Sequence, residues 1–210
     1  MLSPVALWNF DLCSEPGQPM LANQLGSDTK GAMVRGVTCE KGRFGQAAFF
    51  DGVDDLIEIS DRPQFHFTNQ MTVTAWVKPL RLSNPPYGMQ TIVNKWYAMD
   101  SYMLGINNGN FVFSVAFPGG QWGTTVNISA PATVGVWTHV VGVFNGEMLL
   151  LYINGKLAAS TTATGTLQYS DRPISIGNHP SWNAFYGFID EVSLYNVALN
   201  NTQISQLSST

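Results

Sequence analysis

Apolar and polar residues alternate in short runs along most of this chain. The clearest block lies between Gly45 and Val77, GQAAFFDGVDDLIEISDRPQFHFTNQMTVTAWV. Met71, Val73, Ala75 and Val77 fall on one side of an extended segment, with Thr72, Thr74, Trp76 and Lys78 on the other. A period of two is what a strand with one buried face requires. Ala47 to Gly52 and Leu56 to Ile59 repeat it, with an acidic turn, Asp51 to Asp55, between them. The same grammar predicts strands over Val5–Asp11, Thr91–Lys95, Tyr102–Ile106, Phe111–Phe117 and Trp137–Phe144. It continues over Met148–Ile153, Lys156–Ser160, Ile174–Ile176 and Tyr186–Leu194, with a weaker strand near Ala32–Val34. Asn145-Gly146 and Asn154-Gly155 join alternating runs and mark tight hairpins, as does Asn107-Asn108-Gly109-Asn110. One helix is predicted, Asn201–Leu207, capped by Asn200 with Gln203 three residues on, and with Ile204 and Leu207 on one face. The pattern is all-β: an antiparallel sandwich of about a dozen strands with a short C-terminal helix.

Composition narrows the partners more than the fold. The 210 residues read as a single domain spanning 1–210, since sandwiches commonly reach this size as one unit. Charged residues make up only 11% of the chain against 45% hydrophobic, so the polar surface comes from Asn, Ser, Thr, Gln and Gly. The net charge is −4 and the ten Lys and Arg are scattered, which excludes a phosphate-neutralising stripe and hence nucleic acid. No apolar run is long enough to cross a bilayer, so membrane insertion is not expected. Cys13 and Cys39 are the only cysteines; they either pair, for about 3 kcal/mol in an oxidising compartment, or stay free and buried.

Six segments in register carry a family likeness: AAFFDGVDDLIEI, MTVTAWVKP, TIVNKW, VGVWTHVVGVFNGEMLLLYINGKLAAS, ISIGN and FYGFIDEVSLYNVALNNTQI. In this order they resemble the bacterial type of laminin G-like domain, within the concanavalin A-like lectin and glucanase superfamily. The resemblance covers nearly the whole chain. It implies a jelly-roll of two curved antiparallel sheets, a concave face and loop rim that bind sugars, and a bound calcium. It also implies an extracellular or cell-surface setting beside neighbouring modules of a longer chain, with Met1 at a domain boundary.

The resemblance and the residues together nominate sites. Related β-glucanases resemble this chain at FIDEVSLY, where the matching Asp holds a structural calcium; that implies Asp190, then Asp11, with oxygens from the Asp51-Gly52 turn. Calcium takes six to eight oxygens from carboxylates and carbonyls, which suits such a set. Asp54, Asp55 and Asp61 read as turn residues that cap their own backbone. Trp8, Trp76 and Trp137 sit in strand motifs and read as packing. Trp96, Tyr97, Trp122 and Trp182 fall in loops, where an indole or phenol ring needs a cover, and the C–H face of a sugar supplies one. Asn94, Asp100, Gln121, Asn178, His179 and Asn183 are at hand to read hydroxyls. The distantly similar pentraxins use loops matching Trp96–Ser101 and Asn178–Asn183 for ligand, but only Asp100 matches their acidic ligands. The expected ligand set is therefore Trp96, Tyr97, Asp100, Trp122, His179 and Trp182.

Catalysis is not expected. Retaining glycosidases hold two carboxylates about 5–5.5 Å apart on one face, and the E-x-D-x-x-E pattern of this scaffold is absent. His66, His139 and His179 lie far apart in sequence, and alternation sets Glu191 on the face opposite Asp190. The expected function is a non-catalytic carbohydrate-binding module for a polysaccharide or glycan. The competing expectation is an adhesion or spacer module that binds protein.

Overall fold

Strand alternation becomes sandwich architecture in the computed structural model, which describes residues 3–11, 32–83, 88–95, 101–119, 125–179 and 184–209. In chain order the strands are β1 (Ala6–Trp8), β2 (Ala32–Arg35), β3 (Thr38–Lys41), β4 (Gln46–Asp51) and β5 (Leu56–Ile59). Then come β6 (Met71–Pro79), β7 (Met89–Lys95), β8 (Tyr102–Asn107), β9 (Asn110–Ala116) and β10 (Thr125–Pro131). The last are β11 (Thr138–Phe144), β12 (Met148–Ile153), β13 (Lys156–Thr162), β14 (Ile174–Ile176) and β15 (Tyr186–Tyr195), followed by helix α1 (Asn201–Ser209).

Two antiparallel sheets result. The first runs β13-β12-β11-β6-β15-β4-β3, with β1 also paired to β15; the second runs β10-β9-β8-β7-β14-β5-β2. The first and last strands of the chain are thus hydrogen-bonded neighbours, Leu7 opposite Ser193 and Trp8 opposite Val192. Met71, Val73, Ala75 and Val77 of β6 enter the core between the sheets. They share that core with Phe111, Phe113 and Val115 of β9 and with Trp8 and Phe65, which are in ring contact at 6.3 Å. The approach is tight at Gly142 of β11, where a Cβ would stand 2.5 Å from the Phe113 ring.

Helix α1 lies on the outer face of the first sheet. Ile204 is fully buried there with Val141, Val143, Tyr152, Tyr195 and Leu199. The predicted cap forms reciprocally: the Gln203 amide donates to Asn200 Oδ1 at 3.0 Å, and the Asn200 amide donates to Gln203 Oε1 at 2.9 Å.

The structure departs from the sequence pattern in three places. β1 stops at Trp8, short of Asp11, because Phe10 adopts φ 58° and the chain turns. β3 and β10 are strands not predicted from the sequence, and each is the outermost strand of its sheet. β3, with the sequence TCEK, buries little and lacks the apolar rhythm, whereas Val126, Ile128 and Ala130 of β10 do alternate and pack against the core. Cys39, in β3, is disulfide-bonded; Cys13 lies outside the described residues.

Candidate functional site

Register aligns a row of largely polar residues across the second sheet. Met33 pairs with Glu58, Glu58 with Ser175, and Ser175 with Asn94. Asn94 pairs with Met103, Met103 with Ser114, and Ser114 with Asn127. The flanking residues on each strand, such as Ile57, Ile59, Ile174, Ile176, Val93, Leu104 and Phe113, fill the core, so period two turns the row outward. Outward residues of a solvated sheet are normally exposed. Here Asn94 is only 2% exposed, and Ser175, Met103 and Ser114 are also buried. Among the described residues the amide oxygens of Asn94 and of Asn178, just past β14, are buried and accept no hydrogen bond. Such an orphan costs about 1–3 kcal/mol.

His179 follows Asn178 and is nearly buried. The other expected ligand contacts, Trp96, Tyr97, Asp100, Trp122 and Trp182, lie outside the described residues. The described residues that flank them in sequence are Lys95 and Ser101, Gly119 and Thr125, and His179 and Ala184.

The first sheet carries an acidic site at the junction of the chain's two ends. Asp190 of β15 is fully buried; its Oδ2 accepts the Arg43 and Phe44 amides at 3.0 and 3.1 Å, and its Oδ1 accepts the Glu191 amide at 2.9 Å. Asp11 reaches the same turn, its Oδ1 accepting the Gln46 amide at 3.0 Å while Asn9 Nδ2 donates to Oδ2 at 2.6 Å. The turn comes this close because Gly42 and Gly45 have no Cβ: one would meet Asp190 Oδ2 at 2.7 Å, and the other would collide with Asp11 Oδ1. The neighbouring backbone is strained, with Phe10 at φ 58° and Glu191 at φ 51°. Glu191 sits at a bulge between Asp190 and Ser193, so the simple alternation that set it on the opposite face is broken. Both Asp190, in register with Trp76, and Glu191, beside Trp76 and Thr74, belong to the outer side.

Burial pushes the Asp190 carboxyl up to about 7; the Phe44 amide opposes this and the Glu191 charge reinforces it. Burial raises Glu191 as well, helped by the Asp11 charge. The side-chain charges acting on both acids are those of other carboxylates. Asp11, Asp190 and Glu191 offer the oxygen donors that a hard cation takes, though among the described residues the three carboxylates that come within 4.8 Å of one another are Asp51, Asp54 and Asp55. Asp51 is not part of the Asp11, Asp190 and Glu191 set. It pairs with Tyr186, four residues from Asp190 along β15, or about 13 Å of strand. There it joins Asp54 and Asp55, all three with an oxygen within 4.8 Å of the others. Asp55 Oδ2 accepts the Asp51 amide at 2.7 Å and Asp51 Oδ1 accepts the Val53 amide at 2.8 Å, so the cluster caps its own turn.

Beside the acidic turn lies a cavity of about 190 Å³ lined by Phe44, Thr74, Trp76, His139, Glu191, Ser193 and Leu207. The Arg43 guanidinium stands over the Trp76 and Phe44 rings at 4.6 and 5.0 Å. Burial pushes His139 down to about 4, so its ring is neutral near pH 7. The three histidines stay on separate elements: His66 in the β5–β6 connection, His139 on β11 and His179 beyond β14.

Known proteins place this geometry. The Laminin_G_3 family model, described as the concanavalin A-like lectin/glucanases superfamily, matches residues 51–205. No curated protein matches the chain significantly. Among solved structures, the binding domain of Paraclostridial mosquitocidal protein 1 is similar at TM-score 0.75 and 18% identity, covering 97% of this chain and 51% of that one. Domain 4 of AbnA, a GH43 extracellular arabinanase from Geobacillus stearothermophilus, in complex with arabinotriose, is similar at TM-score 0.71 and 21% identity, covering 98% of both chains. The ligand-binding domain of botulinum neurotoxin serotype D, in complex with N-acetylneuraminic acid, is similar at TM-score 0.74 and 17% identity, covering 99% of this chain and 50% of that one. At these identities the likeness is one of fold, and the chain spans about half the length of the toxin domains.

Proposed function

The chain belongs to the concanavalin A-like lectin/glucanases superfamily, and from that footing we propose that it is a non-catalytic carbohydrate-binding module of an extracellular or cell-surface protein. The observation that carries the reading is the row over the second sheet with Asn94 at its middle, and Asn178 just past β14, each with a buried amide oxygen that accepts no hydrogen bond. Amide side chains are among the polar groups that read sugar hydroxyls. Trp96, Tyr97, Trp122 and Trp182 stack on the sugar rings, while Asp100 and His179 read hydroxyls. Two structural relatives hold sugars, arabinotriose in one and N-acetylneuraminic acid in the other, which supports a saccharide as the ligand class. The non-catalytic part is supported at Glu58: its neighbours in the row are Ser175 and Met33, not a second carboxylate. Calcium, held by Asp11, Asp190 and Glu191, ties the two chain ends together as a structural ion; its chemistry is charge neutralisation. Other modules of a longer chain are the expected neighbours.

The test is a glycan and polysaccharide panel run with and without calcium. The expected result is retention of the protein by at least one saccharide, weakened in Trp96→Ala or Trp182→Ala at unchanged melting temperature. Unchanged binding in both variants removes the loop aromatics from the site. A blank panel with specific capture of a protein would replace the reading by an adhesion module.

A further inference from the structure

One exposed ring among the described residues is supported by a stacked imidazole, an ion pair and several hydrogen bonds. Tyr169, in the β13–β14 connection, is 54% exposed, and it is the aromatic side chain that the described residues leave exposed rather than buried or half-buried. One face of its ring stacks on the His66 imidazole, with centroids 4.7 Å apart and planes 15° from parallel. His66 Nε2 is held by Asp61 Oδ2 at 2.8 Å. Asp61 is in turn gripped by the ammonium of Lys95, a side chain with no exposed surface at all, which also donates to the Arg172 carbonyl at 2.6 Å. Lys95 thereby pins both the strip that carries His66 and the strip that carries Tyr169. The Tyr169 strip is tied further by Leu167 to the Thr68 carbonyl at 2.7 Å, by Gln168 to the Ala116 carbonyl at 2.9 Å, and by the Arg172 amide to Ser170 Oγ at 3.1 Å.

A buried ion pair contributes little net stability, because desolvation offsets the attraction. What this one does is immobilise a ring whose remaining face is turned to solvent. A lid over the core would need no such support, whereas a preorganised contact does, since rigidity lowers the entropy lost on binding. Position agrees: Lys95 ends β7, Tyr102 begins β8 and Ala116 ends β9, and the Tyr169 strip is hydrogen-bonded to Lys95 and Ala116 at this end of the second sheet. We infer that Tyr169 is a stacking platform for a sugar ring of a polysaccharide at this end of the second sheet, with His66, Asp61 and Lys95 as positioning residues. The inference rests on the carbohydrate reading above and adds to it a contact on a different loop.

The experiment is affinity electrophoresis of the intact chain through gels containing arabinan, xylan, mixed-linkage β-glucan or a sialylated mucin, with melting curves in parallel. For a retained polysaccharide, Tyr169→Leu, which keeps apolar cover but no flat face, is expected to weaken binding at least about tenfold. Tyr169→Phe is expected to bind within about twofold of the parent. His66→Ala is expected to fall between the two, with Tyr169→Phe in the same background giving no recovery. Tyr169→Leu binding as tightly as the parent overturns the platform while leaving the carbohydrate reading intact. A panel blank for the parent overturns both.

Discussion

His139 shows how one buried ring couples this fold to pH. It is 2% exposed on β11, tilted against Trp76 at 5.2 Å, and burial lowers it from 6.5 to about 4. The unfolded chain takes up its proton near 6.5 while the folded chain does not, so stability present above pH 6.5 is lost as pH falls towards 4. At about 1.4 kcal/mol per unit the window amounts to about 3 kcal/mol. Asp190 has the opposite sign: its raised carboxyl stabilises the protonated fold as pH falls below about 7. Urea titrations of His139→Gln and the parent at pH 7 and pH 4 separate the two, because Asp190 is common to both. The expected result is that the variant loses about 3 kcal/mol less than the parent on acidification; equal losses would show that the ring is not buried as described. Lys95 argues the neighbouring case. Burial alone would raise Asp61, but hydrogen bonds and charge from Lys95 and His66 outweigh it and hold the carboxyl below its usual value. Asp61→Ala leaves the Lys95 ammonium in the core end without its carboxylate, and is expected to cost about 3–5 kcal/mol in urea unfolding, with Lys95→Met costing less.

Elements were legible where they bury a face and illegible where they do not. β6 alternates because one side, Met71, Val73, Ala75 and Val77, enters the core between the sheets, whereas β11 and β12 read as apolar runs because Val141, Val143 and Tyr152 are buried on the helix side as well. β3, with the sequence TCEK, shows no such rhythm at the sheet edge. The helix was readable from its cap and two apolar positions, and it runs two residues past Leu207. Asn200→Ala removes the acceptor for the Gln203 amide and is expected to cost about 1 kcal/mol in urea unfolding. Packing between the sheets was not readable: nothing in VVGVF says that Gly142 faces the Phe113 ring. Gly142→Ala forces a methyl to within 2.5 Å of that ring and is expected to cost about 1–3 kcal/mol at an unchanged denaturant slope. Tolerance of the methyl would mean that the sheets slide apart at this point.

At the scale of the whole molecule, the pairing of β1 with β15 decides which candidates belong together. Sequence order separates Asp11 from Asp190 by most of the chain, and only the family likeness suggested that they meet. The sandwich brings both to the Gly42–Gly45 turn. It leaves Asp51 farther along the strand, and it adds Glu191, hidden from the sequence because a bulge cannot be seen in an alternation. The Tyr169 platform was equally invisible, since it joins the β5–β6 connection, the end of β7 and the β13–β14 connection. The acidic turn makes a prediction that only the folded chain can satisfy. An ion bound by both chain ends has no site in the unfolded state, so calcium at about a hundred times its dissociation constant adds about 2.7 kcal/mol. For a chain of this length that raises the melting temperature by about 5–10 °C over a chelated sample. Asp11→Ala is expected to abolish most of the rise while Asp51→Ala leaves it intact. A shift that survives Asp11→Ala but not Asp51→Ala would move the ion to the Asp51, Asp54 and Asp55 turn, and no shift at all would leave Asp11 and Asp190 as acceptors for amide groups alone.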